Sequence, residues 1–314
     1  MAAHTKGMVI TMTRIRKYRG NKVSVFSESL FHLFVGGFSL ICIVPFVFIV
    51  IIAFTSSESL RTVGYSFFPT GLTIANFEAA FALGDQLWRS FVNSIVITVG
   101  GTLISLIISV MYAYGMYRKD YPLRKFFTFF MFFTMIFSGG LVPFVIVVRQ
   151  LLGLADTLWA LIVPLLLTPF HIIILRTFFK TGIPDSLIDA ASIDGSGEFR
   201  TLFSIVVPLA KPGIATVGLL TAITYWNDWW MSLLFIRERT QMPLQFLLME
   251  LQRNMEFIRR NIALIGAANI NFADLPSQGL RMALCVIIVV PIAFAYPFFQ
   301  RYIISGLTIG AVKE

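Results

Sequence analysis

Six stretches of this chain are apolar for about 20 residues or longer, the length a helix needs to cross the hydrocarbon layer of a bilayer. They cover residues 30–54, 89–117, 126–149, 156–178, 213–236 and 281–304. Lipid offers no partner to an exposed backbone N–H or C=O, so runs of this length predict helices and not strands. The charge content agrees, because 13% of residues are charged where a soluble domain carries roughly 25%. The expected fold class is an all-α integral membrane protein with six transmembrane helices. The first run follows a basic segment, as a secretory signal does. It is about 25 residues long, however, where a signal core has roughly 7 to 15, and no small-residue cleavage site follows it. It reads as a retained anchor.

Lysines and arginines flanking short loops set the orientation of such a bundle. With the N-terminus inside, residues 1–29 form a basic cytoplasmic segment, 30–304 the membrane domain and 305–314 a cytoplasmic tail. Residues 118–125 and 179–212 are then cytoplasmic loops, and 55–88 and 237–280 external ones. The inner side, counted with the adjoining span ends, holds 16 of the 25 lysines and arginines and the outer side 9. The strongest clusters, Lys6, Arg14, Arg16, Lys17, Arg19 and Lys22, then Arg118, Lys119, Arg124 and Lys125, both fall inside. The loop 237–280 dissents, with Arg237, Arg239, Arg253, Arg259 and Arg260; long loops obey the rule less strictly, and the expectation is N-in, C-in. Orientation and anionic lipid account for the basic terminus, so nucleic acid is not an expected partner.

Within the second run Gly101, Ser105, Ser109 and Ala113 repeat at helical spacing, a smooth stripe that lets another helix approach closely. Pro45, Pro143, Pro164, Pro169, Pro291 and Pro297 lie inside runs, where neighbouring helices can satisfy the carbonyls a bend frees. Cys42 and Cys285 each fall in a run and read as small buried hydrophobes. Outside, "TIANFEAAF" predicts a short surface helix and "QMPLQFLLMELQRNMEFIRRN" an amphipathic segment against the outer face.

The cytoplasmic segment 179–212 is the most informative polar stretch. Pro184 fits the first turn of a helix and Asp185 places negative charge at its positive end. Asp185, Asp189 and Ser192 fall on one stripe, and Gly195, with Gly197 close behind, stops the helix. In a second helix Phe199, Leu202, Phe203 and Val206 make one apolar face, ended by Pro208 and Pro212. The segment has about 34 residues where a connector needs only a few. Either a partner docks on it or it is a solvated loop carrying a surface helix.

Asp228 is the clearest carboxylate within a run, flanked by Trp226, Asn227, Trp229 and Trp230. Aromatic rings beside hydrogen-bonding groups suit a sugar path. An interhelical hydrogen bond with an interfacial tryptophan belt explains the same residues and is the preferred reading. His171 stands alone and reads as a packed core histidine. No paired acids, Cys/His cluster or hydrolase-like elbow appears, so neither enzyme chemistry nor a metal is expected. The chain has no Gly-Lys dipeptide and hence no phosphate-cradling loop of the Walker type. If ATP drives this protein, another chain binds it.

Asp189-Ala190-Ala191, three residues, Gly195, nine residues and Ile205-Val206-Val207-Pro208 resemble the cytoplasmic loop motif of the membrane subunits of binding-protein-dependent ABC importers. The motif has Glu where Asp189 stands and Leu where Val207 stands, with the spacing kept. "YWNDWWMSLLFI" and the ending "PFFQRYIISGLTIGAVKE" look like the smaller permease of maltose-type and complex-oligosaccharide importers. The resemblance covers nearly the whole chain. It implies a type I ABC importer (MetI-like) permease fold in a bacterial cytoplasmic membrane. It also implies four kinds of partner: a second homologous permease, an ABC ATPase dimer that holds ATP and Mg, an extracytoplasmic solute-binding protein and an oligosaccharide. In that family the loop forms coupling helices that dock on the ATPase. Asp189 would take the acidic contact, Ala190 and Ala191 the close-contact surface and Gly195 the turn, with Asp194, Glu198 and Pro208 in the same segment. Loop 237–280 matches in position the segment that reaches into the binding protein, although a lid over span ends serves equally well. Trp226, Asn227, Asp228 and Trp229 remain a candidate translocation path, in a branch where the companion permease makes most sugar contacts. The alternatives are an ion-coupled secondary transporter, for which one Asp and one His are a thin supply of coupling groups, and a non-transporting membrane receptor or assembly protein.

Overall fold

The computed structural model describes residues 25–261 and 278–311. The basic cluster Lys6 to Lys22, residues 262–277 of the loop expected outside and the last three residues of the tail lie outside the described residues. The chain divides into two compact units, Met1–Phe48 and Ile49–Glu314. The described part of the first is an apolar helix, exposed almost throughout, that continues across the boundary as α1 (Val25–Ala53).

The second unit is helical, with one isolated β-bridge, Thr55 to Leu72, among its described residues. Short helices α2 (Ser57–Thr62) and α3 (Ala75–Phe81) follow α1. The Asn76 carboxamide donates to the Ala53 and Thr55 carbonyls at 2.9 and 2.8 Å, which satisfies acceptors that the end of α1 leaves open. α4 (Asp85–Tyr117) then runs 33 residues unbroken, about 50 Å at 1.5 Å per residue.

Three helical segments, Phe26–Ala53, Asp85–Tyr117 and Gln278–Ala295, are each long and apolar enough to cross a membrane alone. The other three expected spans are not single straight helices. α5 (Arg124–Ile136) breaks at Ser138-Gly139-Gly140, where Gly140 takes φ 84°, before α6 (Leu141–Ile146) and a π turn at Val147–Leu151. The two halves meet at 116°. α7 (Trp159–Ile162) extends through a 3₁₀ turn to Leu165 and meets α8 (Pro169–Gly182) at 50°. Thr168, directly before Pro169, is extended, as the proline ring requires of its predecessor.

The loop after α8 folds into α9 (Asp185–Ile193), α10 (Glu198–Thr201) with a π turn at Leu202–Val206, and α11 (Val207–Leu209). α12 (Lys211–Asn227) leaves this segment at 84°. It stops at Asp228, so the expected span 213–236 is interrupted before α13 (Trp230–Phe235). α14 (Leu244–Arg260) and α15 (Gln278–Ala311) complete the described chain.

The core forms where α4 meets α8 and α12, and α12 meets α15. Gly101, Ser105, Ser109 and Ala113 are buried along their whole length. A Cβ on Gly101 would stand 2.7 Å from the Tyr225 ring, and one on Gly213 2.5 Å from that of Phe178. At Gly101 the stripe therefore admits a ring, as Gly213 does on α12. Two polar ends inside the bundle are matched across it: Tyr225 Oη donates to the Ile162 carbonyl at 2.9 Å and Ser105 Oγ to that of Leu166 at 2.7 Å. His171, buried, shares a 3.1 Å hydrogen bond with Thr221, consistent with a packing role.

Candidate functional site

The loop from Pro184 to Leu209 sits at the C-terminal end of α4. Pro184 lies just before α9 rather than in its first turn, with ψ 135°. α9 closes as the glycine position requires. Gly195, at φ 72°, donates to Ser192 O at 3.1 Å, and Ser196 N–H reaches Ala191 O at 2.9 Å. These are the two bonds of a Schellman motif, which needs a left-handed residue that glycine supplies without steric cost.

Ile188 and Ala191 turn inward, Ile188 into the core that contains Tyr117, Phe179 and Ile183, whereas Asp189, Ala190 and Asp194 are exposed. The expected close-contact surface thus keeps Ala190 and loses Ala191 to the chain's own packing. Ile193, 86% exposed, is the most prominent apolar side chain of α9. The expected apolar face of the second helix also divides. Leu202 and Val206 are buried at 2% and 0%, while Phe199 and Phe203 stay exposed at 67% and 53%. The π turn at Leu202–Val206 departs from the 3.6-residue period on which a single face depends. Pro208 is exposed beside the bend into α12.

Two acids of the loop are tied to the end of α4. Lys119 Nζ lies 2.5 Å from Asp185 Oδ2, and Tyr117 Oη is 3.3 Å from the Ile183 carbonyl and 3.5 Å from Asp185 Oδ1. Arg118 donates to Glu198 Oε1 at 2.8 Å and Tyr114 Oη to Glu198 Oε2 at 2.6 Å. Arg118 also reaches Asp120 at 3.3 Å. The Lys119 ammonium holds the Asp185 carboxyl below its usual range, and Asp185 in turn raises Lys119. In the sequence Arg118 and Lys119 bear only on orientation; the one available signal is that they fall on the same expected side of the membrane as the loop.

The Trp226–Trp229 stretch is a helix break, and its residues do not share one surface. Trp226 Nε1 donates to Ile288 O at 3.2 Å from a buried position. Asn227 Oδ1 accepts from Gln245 at 3.0 Å. Asp228 accepts from the Met231 N–H at 3.2 Å, capping α13, which gives the carboxylate a local structural task. Trp229 is exposed and meets Trp230 edge to face. The break is fastened by residues that the sequence did not single out. Asp156, at φ 56°, accepts from Arg237 N and Glu238 N at 2.5 and 3.2 Å, and Arg149 donates to the Leu234 carbonyl.

The segment around α14 packs at the opposite end of α4 from the loop. Ser94 Oγ accepts from Leu244 N at 2.8 Å and Asn93 donates to Thr240 O at 2.8 Å. Among the described residues no group of His, Cys, Asp and Glu is placed to hold a metal.

Residues 105–309, from mid-α4 through the tethered loop to α15, match the family described as binding-protein-dependent transport system inner membrane component. The chain belongs to that family. Two Bacillus subtilis relatives illustrate the likeness. One, the polygalacturonan/rhamnogalacturonan transport system permease protein YtcP, is 34% identical over 91% of this chain and 98% of the relative. The other, Protein LplC, is 36% identical over 90% and 92%. Among solved structures, a chain of a bacterial ABC transporter involved in import of the acidic polysaccharide alginate superposes with a TM-score of 0.75 at 27% identity, covering 88% of this chain and 96% of that one. As an inner membrane transport component of this family, the chain is a permease subunit rather than a catalyst. Membership excludes the secondary-transporter and receptor alternatives.

Proposed function

We propose that this permease carries an oligosaccharide rich in uronic acid, delivered by an extracytoplasmic binding protein, and that a separate ATPase dimer drives it by docking on residues 184–209. Asp189, Ala190 and Asp194 face outward on α9, with Ile193, Phe199 and Phe203 supplying exposed apolar surface. The observation that carries the reading is the placement of two unlike surfaces at opposite ends of one 33-residue helix. The tethered loop lies beyond Tyr114, and the α14 segment beside Asn93 and Ser94.

We count six spans by taking α5 with α6, α7 with α8 and α12 with α13 as one crossing each beside the three single helices, and the lysine and arginine distribution favours the tethered loop and both termini on the inside. A second permease completes the pathway. Closure of the ATPase on ATP can drive access only if the loop binds the two ATPase states with different affinity. The uronic-acid assignment draws on the polygalacturonan/rhamnogalacturonan transport of YtcP, the alginate import of the structural neighbour and external charge. Arg237, Arg239 and Arg253 are exposed on the segment that breaks the positive-inside pattern, where cations attract an anionic cargo, whereas Arg260 is paired with Glu256. The test is uptake by the reconstituted complex of oligogalacturonate against a neutral arabino-oligosaccharide. ATP-dependent uptake of the first in preference supports the reading, and preference for the neutral sugar overturns the substrate class.

A further inference from the structure

We infer that the acids of the loop have separate tasks: Asp189 and Asp194 face a partner, whereas Glu198 is an internal strut that hands movement of the loop to α4 through Arg118 and Tyr114. The inference rests on the proposed coupling role of the loop. It removes Glu198 from the ATPase-facing set and makes Arg118 and Tyr114 positioning residues for transport.

The contact has the properties of a strut. Arg118, the residue that ends α4, stands one helical turn beyond Tyr114, so both donors reach the same side of the helix end. Each takes one oxygen of the same carboxylate, at 2.6 and 2.8 Å. A carboxylate held by a guanidinium and a phenol at once is fixed in direction, and charge-assisted bonds of this kind are about twice as strong as neutral ones. The Arg118 side chain is 15% exposed and that of Glu198 60%, so the guanidinium side of the pair is shielded from water while the carboxylate side is open. The neighbouring Lys119–Asp185 pair is 70% and 58% exposed and is the weaker tether.

What surrounds the strut makes it the connection that matters on its side of the loop. A cavity of about 430 Å³ opens between the end of α4, the start of α5 and the second loop helix, with Tyr112, Tyr121, Phe127 and Phe199 in its walls. Side-chain packing does not fill this gap, and Arg118, Tyr114 and Glu198 lie on its lining. On the other side Leu202 and Val206 pack into the core with Ala113 and Tyr114. A close-packed interior is hard to compress, so a displaced loop pushes α4 through this core and pulls it through the strut. α4 passes the displacement to α12 where Gly101 meets Tyr225.

The experiment uses the full complex with its companion permease and ATPase in proteoliposomes, supplied with sugar-loaded binding protein. The variants are Arg118→Glu, Glu198→Arg, the double exchange and the milder Tyr114→Phe. The readout is sugar moved per ATP hydrolysed, which a loss of folded complex does not change. Each single reversal is expected to lower this ratio about tenfold while hydrolysis per complex stays within about twofold, and the double exchange is expected to recover most of the loss, as coupling between contacting residues requires. Tyr114→Phe, which keeps the ring, covers the case in which a reversal fails to assemble; its ratio is expected to fall about threefold. Single variants that assemble and keep the wild-type ratio overturn the strut, as does a double exchange no better than either single. A wild-type complex without ATP-dependent uptake overturns the coupling reading itself.

Discussion

The ring of Tyr225 lies directly over Gly101, with its carbons 2.7 and 2.8 Å from where a Cβ would stand. Backbone and ring leave no room for a side chain, and the Tyr225 hydroxyl is held at its far end by Ile162 O. Gly101→Val is therefore expected to cost about 1–3 kcal/mol through overpacking. Gly100, whose Cβ would meet nothing within 4 Å, is the internal comparison; Gly100→Ala leaves stability unchanged or slightly raised. Thermal unfolding of the detergent-solubilised protein reads both.

Gly195 carries the Schellman closure of α9 at φ 72°. Gly195→Ala places a Cβ in left-handed backbone, a cost of about 1–2 kcal/mol confined to the loop, and Gly195→Pro also removes the N–H that reaches Ser192 O. Membrane insertion is expected to persist in both while sugar uptake falls, more steeply for Pro. Normal uptake by the Pro variant contradicts a coupling role for this turn.

Asp189 is exposed, so its replacement leaves the bundle's packing intact. Asp189→Lys is expected to keep the wild-type melting temperature and to weaken ATPase association about tenfold, because reversal at an interface turns attraction into repulsion. Co-purification yield at two salt concentrations measures this, with the larger deficit at low salt.

Asp156 combines φ 56° with a carboxylate that accepts from Arg237 N and Glu238 N. Asn tolerates that backbone and keeps an acceptor, Gly tolerates it without one, and Ala supplies neither. The expected order of stability is wild type, Asn, Gly, Ala, with the Ala variant lower by about 1–3 kcal/mol. Unfolding curves of the four proteins test the order.

The Lys119–Asp185 tether has a pH window with two edges. Asp185 is depressed in the folded protein, so its contribution is full above the usual carboxylate value of 3.8 and lost as pH falls through its folded value. Lys119 is raised, so its contribution is full below the usual 10.5 and lost as pH rises through its folded value. Amide exchange in α9 is expected to show flat protection from about pH 5 to 9, with loosening only toward the extremes.

The sequence made the apolar runs and the glycine stop legible because each depends on local chemistry, hydropathy summed along the chain and backbone freedom at Gly195. Pro169 marked its bend in the sequence, but the breaks at Ser138–Gly140 and Asp228 were not legible, since an apolar tally carries no information about direction. The divided face of Phe199, Leu202, Phe203 and Val206 escaped for a related reason: its period assumes an α-helix, and a π turn occupies that stretch. Glu198 was placed in the right segment without its partner, because Arg118 stands 80 residues away and only the tertiary fold brings the two to 2.8 Å. Asp228 read as an isolated carboxylate for the same cause, its helix-capping task existing only once α12 has stopped.

The central claim is that a nucleotide-driven partner grips α9. Ala190, exposed beside Asp189, is the position to interrogate, as Ala190→Cys in a chain whose Cys42 and Cys285 are replaced by alanine. The measurement is its rate of labelling by a water-soluble maleimide in the assembled complex. The account predicts strong protection when the ATPase is bound and a different degree of protection with and without ATP. Equal labelling of the permease alone and of the full complex in both nucleotide states would contradict it.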